Sequence, residues 1–452
     1  MKDLTKGNPT RLILAFAIPV MIGNLFQLFY NLADTRIVGS FLGDTALTAV
    51  GSTNSLNSLI VGFLNGLANG FAIITARHFG ANDERLVKKS VGSIVLLGAV
   101  ISVGLTVLSV AFLTPLLRAL NTPEQLLTQS ADYFRIILLG LTASMLYNGC
   151  AAVLRAVGDA ITPLVFLILS TLLNVGLDLF FVCVLHAGVA GAAAATVLAQ
   201  VVSGLLCVIY IYKKYPVLHP SGEDFHLDWW MSSQLLSAGL SMGFMMSLVN
   251  FGSVLLQSVI NTFGEATILA HTAARRLTEL FMLPFSVFGT TMATYCSQNW
   301  GAHKPERIRS GIWQSLGICW VWCALTVVVI YTAVPMLVQL ITGTSTPEVI
   351  ETASLYLRID GLFYFVTAGI CVLRNALQGI GDMVTPIFSS LLELFGKLSV
   401  VIFLTPHLDY MGVILAEPIV WAIMVIPLIV VSIRRLRRSR TPLPASQPTP
   451  AK

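Results

Sequence analysis

Asp34 is the residue most out of place for its surroundings. It lies near the end of Phe16–Val38, a run otherwise oily enough to cross a membrane, with Pro19, Asn24, Gln27 and Asn31 along the same stretch. A carboxylate in hydrocarbon is costly unless it faces a cavity, a partner or an ion. Gln27, Asn31 and Asp34 share one helical face, and Asn24 extends it. Pro19 removes a backbone hydrogen bond and crowds the preceding turn, so it is the expected hinge. A second intramembrane acid follows: Asn174 and Asp178 are spaced i,i+4 and point one way. The next apolar segment opens with small residues, Gly188 to Thr196, which let helices approach closely. Thr196 is expected to offer Asp178 a hydroxyl. Asp34, Asn174, Asp178 and Thr196 are therefore the expected cation site. A desolvated carboxyl can trade protons, and an oxygen cluster can hold Na⁺; the residue types leave H⁺ and Na⁺ equally open.

The second half of the chain is different. Asn250 falls where the first half has its polar face, and no carboxylate accompanies it. Glu279 is expected to pair with Arg275, four residues away, and Glu393 with Lys397. Asp360 is open to either a functional or a structural role. The methionines Met242, Met245, Met246 and Met282, with Phe244, Phe281 and Phe285, read as packing or as an adaptable ligand surface. The expected substrate cavity takes Gln27, Tyr30, Asn31, Met145, Asn148, Asn250, Met282 and Asp360. The seven cysteines all sit in apolar surroundings without a metal pattern and read as packing groups. No phosphate loop, zinc motif or nucleophile elbow is present in the sequence. An ion gradient is then the natural energy source, and no cofactor is expected.

The elements that hold these residues are membrane helices. Of 452 residues, 56% are hydrophobic and 11% charged, with mean hydropathy +0.81; soluble domains carry roughly 25% charge. Apolar runs of spanning length cover 12–38, 46–75, 91–114, 131–154, 161–183, 187–212, 236–260, 268–296, 310–334, 353–377, 384–404 and 411–433. The fold class is an all-α polytopic membrane protein with twelve transmembrane helices. No cleavable signal peptide is expected. Lys and Arg gather on alternate connections, from Lys2, Lys6 and Arg11 to Arg434, Arg435, Arg437, Arg438 and Arg440, which predicts cytoplasmic termini. The net charge of +5 reflects this topology and attraction to anionic lipid rather than nucleic acid.

The two halves repeat. Gly158-Asp159 with Thr162-Pro163 returns as Gly381-Asp382 with Thr385-Pro386, a shift of 223, and Tyr133 returns as Tyr356. Leu42-Gly43-Asp44 resembles Phe263-Gly264-Glu265, shifted by 221. Two six-helix bundles related by a pseudo-two-fold axis along the membrane normal are expected, with a cavity between them. The divisions are a lobe over 1–212, a cytoplasmic linker over 213–232, a lobe over 233–433 and a basic, then polar, tail over 434–452.

The sequence resembles the multidrug and toxic compound extrusion (MATE) transporters of bacteria across nearly its whole length. The likeness rests on N-L-A-D-T-R-I-V-G at Asn31–Gly39, L-R-A-V-G-D-A-I-T-P at Leu154–Pro163, L-N-V-G-L-D at Leu173–Asp178 and Q-G-I-G-D-M-V-T-P at Gln378–Pro386. It implies a two-lobed antiporter of a prokaryotic inner membrane, acting as a monomer. Amphipathic, often cationic, organic compounds would leave in exchange for H⁺ or Na⁺. It also implies ion residues at Asp34, Asn174, Asp178 and Thr196 and a bend at Pro19. The second-lobe ion scheme of some members matches at Asp360 but not at Asn250. A flippase of lipid-linked substrates has related architecture and is the alternative; a receptor or an intramembrane enzyme fits the repeat poorly.

Overall fold

The computed structural model describes residues 3–438, except 121 and 227. Lys2, Arg440 and the tail beyond 438 lie outside the described residues. The first six spans are Pro9–Ser52, Asn54–Gly80, Glu84–Ala111, the bent pair Glu124–Leu139 and Leu141–Ala156, Ile161–Val184, and Gly188–Lys214. The second six are Trp229–Ile260, Glu265–Gly301, Pro305–Thr342, the bent pair Pro347–Leu362 and Tyr364–Gly379, Val384–Phe403, and Tyr410–Arg438. Among the described residues, nine helices are long and apolar enough to span alone. The fourth and tenth spans qualify as pairs bent by 47° and 52°. The eighth, Glu265–Gly301, is 37 residues long and carries Glu265, Arg275, Arg276 and Glu279. Twelve spans result, and an even number brings both ends of the described chain to one end of the bundle.

Helix ends follow local chemistry. Asn8 accepts a hydrogen bond from Arg11 N, and Pro9 stands at the first helical position, where its missing N–H costs nothing. The first helix keeps helical dihedrals through Pro19 and departs from them only at Gly43, whose φ of 82° suits glycine. Residues 44–52 are thus a short separate helix ahead of the second span. The linker carries two short 3₁₀ turns, Pro216–Leu218 and Gly222–Asp224, and Lys89 ties down its Asp228 at 2.9 Å.

Each lobe has its own apolar core, and each lends its first helix to the other. Ile13, Phe16 and Ala17 of the first span pack into the second-lobe core with Phe285 and Tyr295. Met231, Leu235 and Ala238 of the seventh span pack into the first-lobe core with Leu67 and Phe71. Pro19 therefore sits where the first helix leaves one lobe's core for the other's cavity. The second and seventh spans meet along a seam that admits only small residues. A Cβ on Gly66 would lie 2.6 Å from the Met242 carbonyl, and one on Gly70 would collide with that of Ala238. Gln298 of the eighth span ties the lobes together elsewhere, donating to Ala156 O of the fourth span at 2.7 Å and accepting from Leu4 N at 3.0 Å.

Candidate functional site: two carboxyls behind an amide-lined cavity

The first span brings Tyr30 and Asp34 against the fifth and sixth. Asp178 is fully buried, and Asp34 lies close enough for the two carboxyls to feel each other's charge. Tyr30 OH stands 3.4 Å from Thr196 Oγ1. The Asn174 amide fits its surroundings with nitrogen 2.9 Å from Asp178 Oδ2 and oxygen 3.1 Å from Thr196 N. In that orientation Asp178 Oδ1 still lacks a partner. Immediately after Asp178 the fifth span widens into a π-helical segment, Leu179–Val184. Such segments recur at functional sites because they re-aim side chains. Among the described residues, neither acid has a Lys or Arg ion-pair partner. Two carboxyls so placed repel each other unless a proton or a cation joins them.

A cavity of about 570 Å³ opens beside this pair. Pro19, Gln27, Tyr30, Asn31 and Asn148 line it, as do Asn174 and Thr196. The last two residues and Tyr30 thus belong both to the cavity wall and to the carboxyl cluster. Met246, Ser286 and Thr290 complete the wall from the second lobe. Tyr133 lies in the electrostatic surroundings of both acids; in the sequence it registers only as a landmark of the repeat, because its spacing carries no polar pattern.

Four other residues expected at the cavity lie elsewhere. Met145 lines a smaller space of about 160 Å³ within the first lobe, where its chain packs against Gly98. Asn250 donates to Ser58 O at 3.0 Å across the seam, so its amide is committed to holding the lobes. Met282 packs against the second-lobe core, near Phe281 and Phe285. Asp360 is completely buried in that lobe. Of the methionines, Met246 faces the cavity, while Met242 and Met245 pack with Ile73 and Ala293.

The second lobe gathers charge of both signs. Lys397 meets Glu393 at 3.1 Å, the pair expected from its spacing, and also Glu417 at 3.1 Å. Arg374 reaches Glu393 at 3.3 Å. The expected Arg275–Glu279 pair does not form: Arg275 turns inward to Glu417 at 2.8 Å, and Glu279 is exposed. The inward turn lets Glu417, buried beside Tyr356, answer two cations at once. Sequence spacing had no signal for Glu417, which is 142 residues from Arg275.

A family model, MatE, matches residues 19–180 and 241–401. The chain belongs to the MATE family. The probable multidrug resistance protein YpnP of Bacillus subtilis strain 168 is 28% identical to it over 391 residues, covering 86% of this chain and 87% of that relative. A solved MATE structure in a bent conformation superposes with a TM-score of 0.89 at 24% identity, over 97% of each chain. An outward-facing multidrug resistance MATE transporter gives 0.88 at 25% identity, over 97% of this chain and 98% of that one. The two-lobed architecture is thus the twelve-span MATE fold. This MATE chain is a secondary transporter that exports amphipathic compounds by alternating access, rather than an enzyme.

Proposed function

We propose that export is driven by a proton taken up between Asp34 and Asp178, with the 570 Å³ cavity holding the outgoing compound. The observation that carries this reading is the shared wall: Tyr30, Asn174 and Thr196 all line the cavity, Asn174 donates to Asp178, and Thr196 links Asn174 to Tyr30. Loading the acids removes their repulsion, draws the first and fifth spans together and reshapes that wall. Pro19 gives the first helix a place to bend as this happens. A proton suits the site better than Na⁺ because Asn174 turns a nitrogen donor, not an oxygen, toward Asp178. Both chain ends face the cytoplasm of a prokaryotic inner membrane, as the Lys and Arg of the connecting loops favour. One copy of the chain supplies both the acids and every residue lining the cavity, which supports action as a monomer.

The test is uptake of a fluorescent amphiphile by proteoliposomes under separately imposed proton and sodium gradients. The proton gradient alone should drive movement, and Asp34→Asn and Asp178→Asn should each stop it. Driving by sodium alone would replace the ion. Undiminished driven transport in Asp34→Asn would sink the assignment of the acids.

A further inference from the structure

The cavity wall has an uneven chemistry. Nine of its lining residues are carboxamides, Arg155 is the only charged one, and no carboxylate reaches the surface among the described residues. Arg155 lies at the end of the fourth span with Asp159 four residues ahead, a spacing at which an ion pair is expected in a helix. Gly158 prevents it. At φ of 80° it turns the chain out of the helix, and Asp159 caps the fifth span instead. Asp159 accepts from Ile161 N at 3.1 Å, from Thr162 N at 3.0 Å and from the Tyr215 hydroxyl. The Arg155 guanidinium, with five N–H donors, reaches Asn69 Oδ1 at 3.0 Å and has no acidic ion-pair partner among the described residues. Tyr147, the other titratable group facing it from the cavity wall, is neutral in its ordinary state. One helical turn from Asn69, the buried Asn65 Oδ1 also lacks a partner.

The second repeat shows that the fold does not require this charge. With the shift of 223, Arg155 corresponds to Gln378, which is buried and donates to Ser241 Oγ at 3.3 Å. A cation kept without a counter-charge in a cavity is an anion site in waiting, since a buried charge is stable only when it is paired. A planar guanidinium fork matches a carboxylate or a phosphate by two parallel hydrogen bonds.

We propose that Arg155 is a specificity residue that binds an oxyanion group of the substrate, a carboxylate or a phosphate. The preferred cargo is then a zwitterionic or anionic amphiphile, not a simple lipophilic cation. The amide wall receives its other polar groups without demanding a sign of charge. This rests on the export reading above, but it concerns binding and is tested without a gradient.

The probes are a xanthene dye with a free benzoate and the ethyl ester of the same dye, which differ by that carboxylate alone. Their affinities are measured by fluorescence anisotropy on the full chain in nanodiscs. The wild type should bind the acid at least about tenfold more tightly than the ester, the worth of one charge-assisted bond. Arg155→Gln, the residue of the second repeat, should weaken the acid by about tenfold and leave the ester within about twofold. Arg155→Lys should keep part of the preference, which guards against a variant that fails to fold. Octyl phosphate or octanoate should displace the acid, and their relative strength names the favoured oxyanion. Equal wild-type affinity for acid and ester would overturn the proposal. So would an equal loss of both in Arg155→Gln, or displacement by neither octyl anion. Failure of driven uptake with this preference intact would instead count against the export reading.

Discussion

The two lobes share a fold and use charge in opposite ways. Where the first lobe has Ser170, Asn174 and Asp178, the second has Glu393, Lys397 and Val401 at a shift of 223. Where the first has Ala193, the second has Glu417 at a shift of 224. The first lobe therefore leaves its charges unpaired beside an open cavity: Asp34 and Asp178 have no basic partner and Arg155 no acidic one among the described residues. The second packs Arg275, Arg374 and Lys397 against Glu393 and Glu417, with Asp360 enclosed nearby. A charge that must be answered from outside recruits an ion. A charge answered from within fixes helices to one another. One scaffold thus supplies a lobe whose cavity charges lack internal partners and a lobe whose charges hold its own helices together.

The sharpest way to break this comparison is Asp34→Asn. Proton-driven uptake should fall to background while the thermal unfolding midpoint stays near the wild-type value, because no internal base loses its partner. The converse change is Glu417→Ala. It strands Arg275 and leaves Lys397 to share Glu393 with Arg374, at a cost of about 3–5 kcal/mol, and should lower the unfolding midpoint markedly in a thermal melt. If both variants lost stability equally, the distinction between the lobes would fail. Next in size is Gly66→Val, whose added atoms press on the Met242 carbonyl. Overpacking there should cost about 1–3 kcal/mol; an unchanged melt would mean that the seam is loose. The smallest effect belongs to Thr196→Ala, which removes a hydroxyl from Tyr30 and Asn174. Loss of about 1 kcal/mol should weaken apparent coupling-ion affinity roughly fivefold, read from transport as a function of pH.

Much of the first lobe's site was legible in the sequence because its signal is local. An acid in an apolar run is conspicuous wherever it falls, and Asn174 and Asp178 share a face by helical period alone. Gln27, Tyr30 and Asn31 reach the cavity, as their place on or beside the first helix's polar face implied, and Asn148 reaches it from the fourth span. Asn250, Met145, Met282 and Asp360 could not be placed this way. Their positions depend on how the lobes meet and on which face of a helix is covered by a neighbour, which spacing along one helix does not reveal.

By itself the sequence determined the class of the molecule: twelve membrane helices in two matched halves, with uncompensated acids in the first. Span length, hydropathy and repeat spacing are properties of the chain read in one dimension, and the bilayer leaves helices as the form such long apolar runs can take. Only the tertiary structure decided who answers whom. It crossed the first and seventh spans into opposite cores, gave Arg275 to Glu417 instead of Glu279, and left Arg155 alone above its amides. The physical reason is range. Hydropathy acts residue by residue, whereas a buried charge is settled by whichever partner the packing of distant helices brings within about 4 Å.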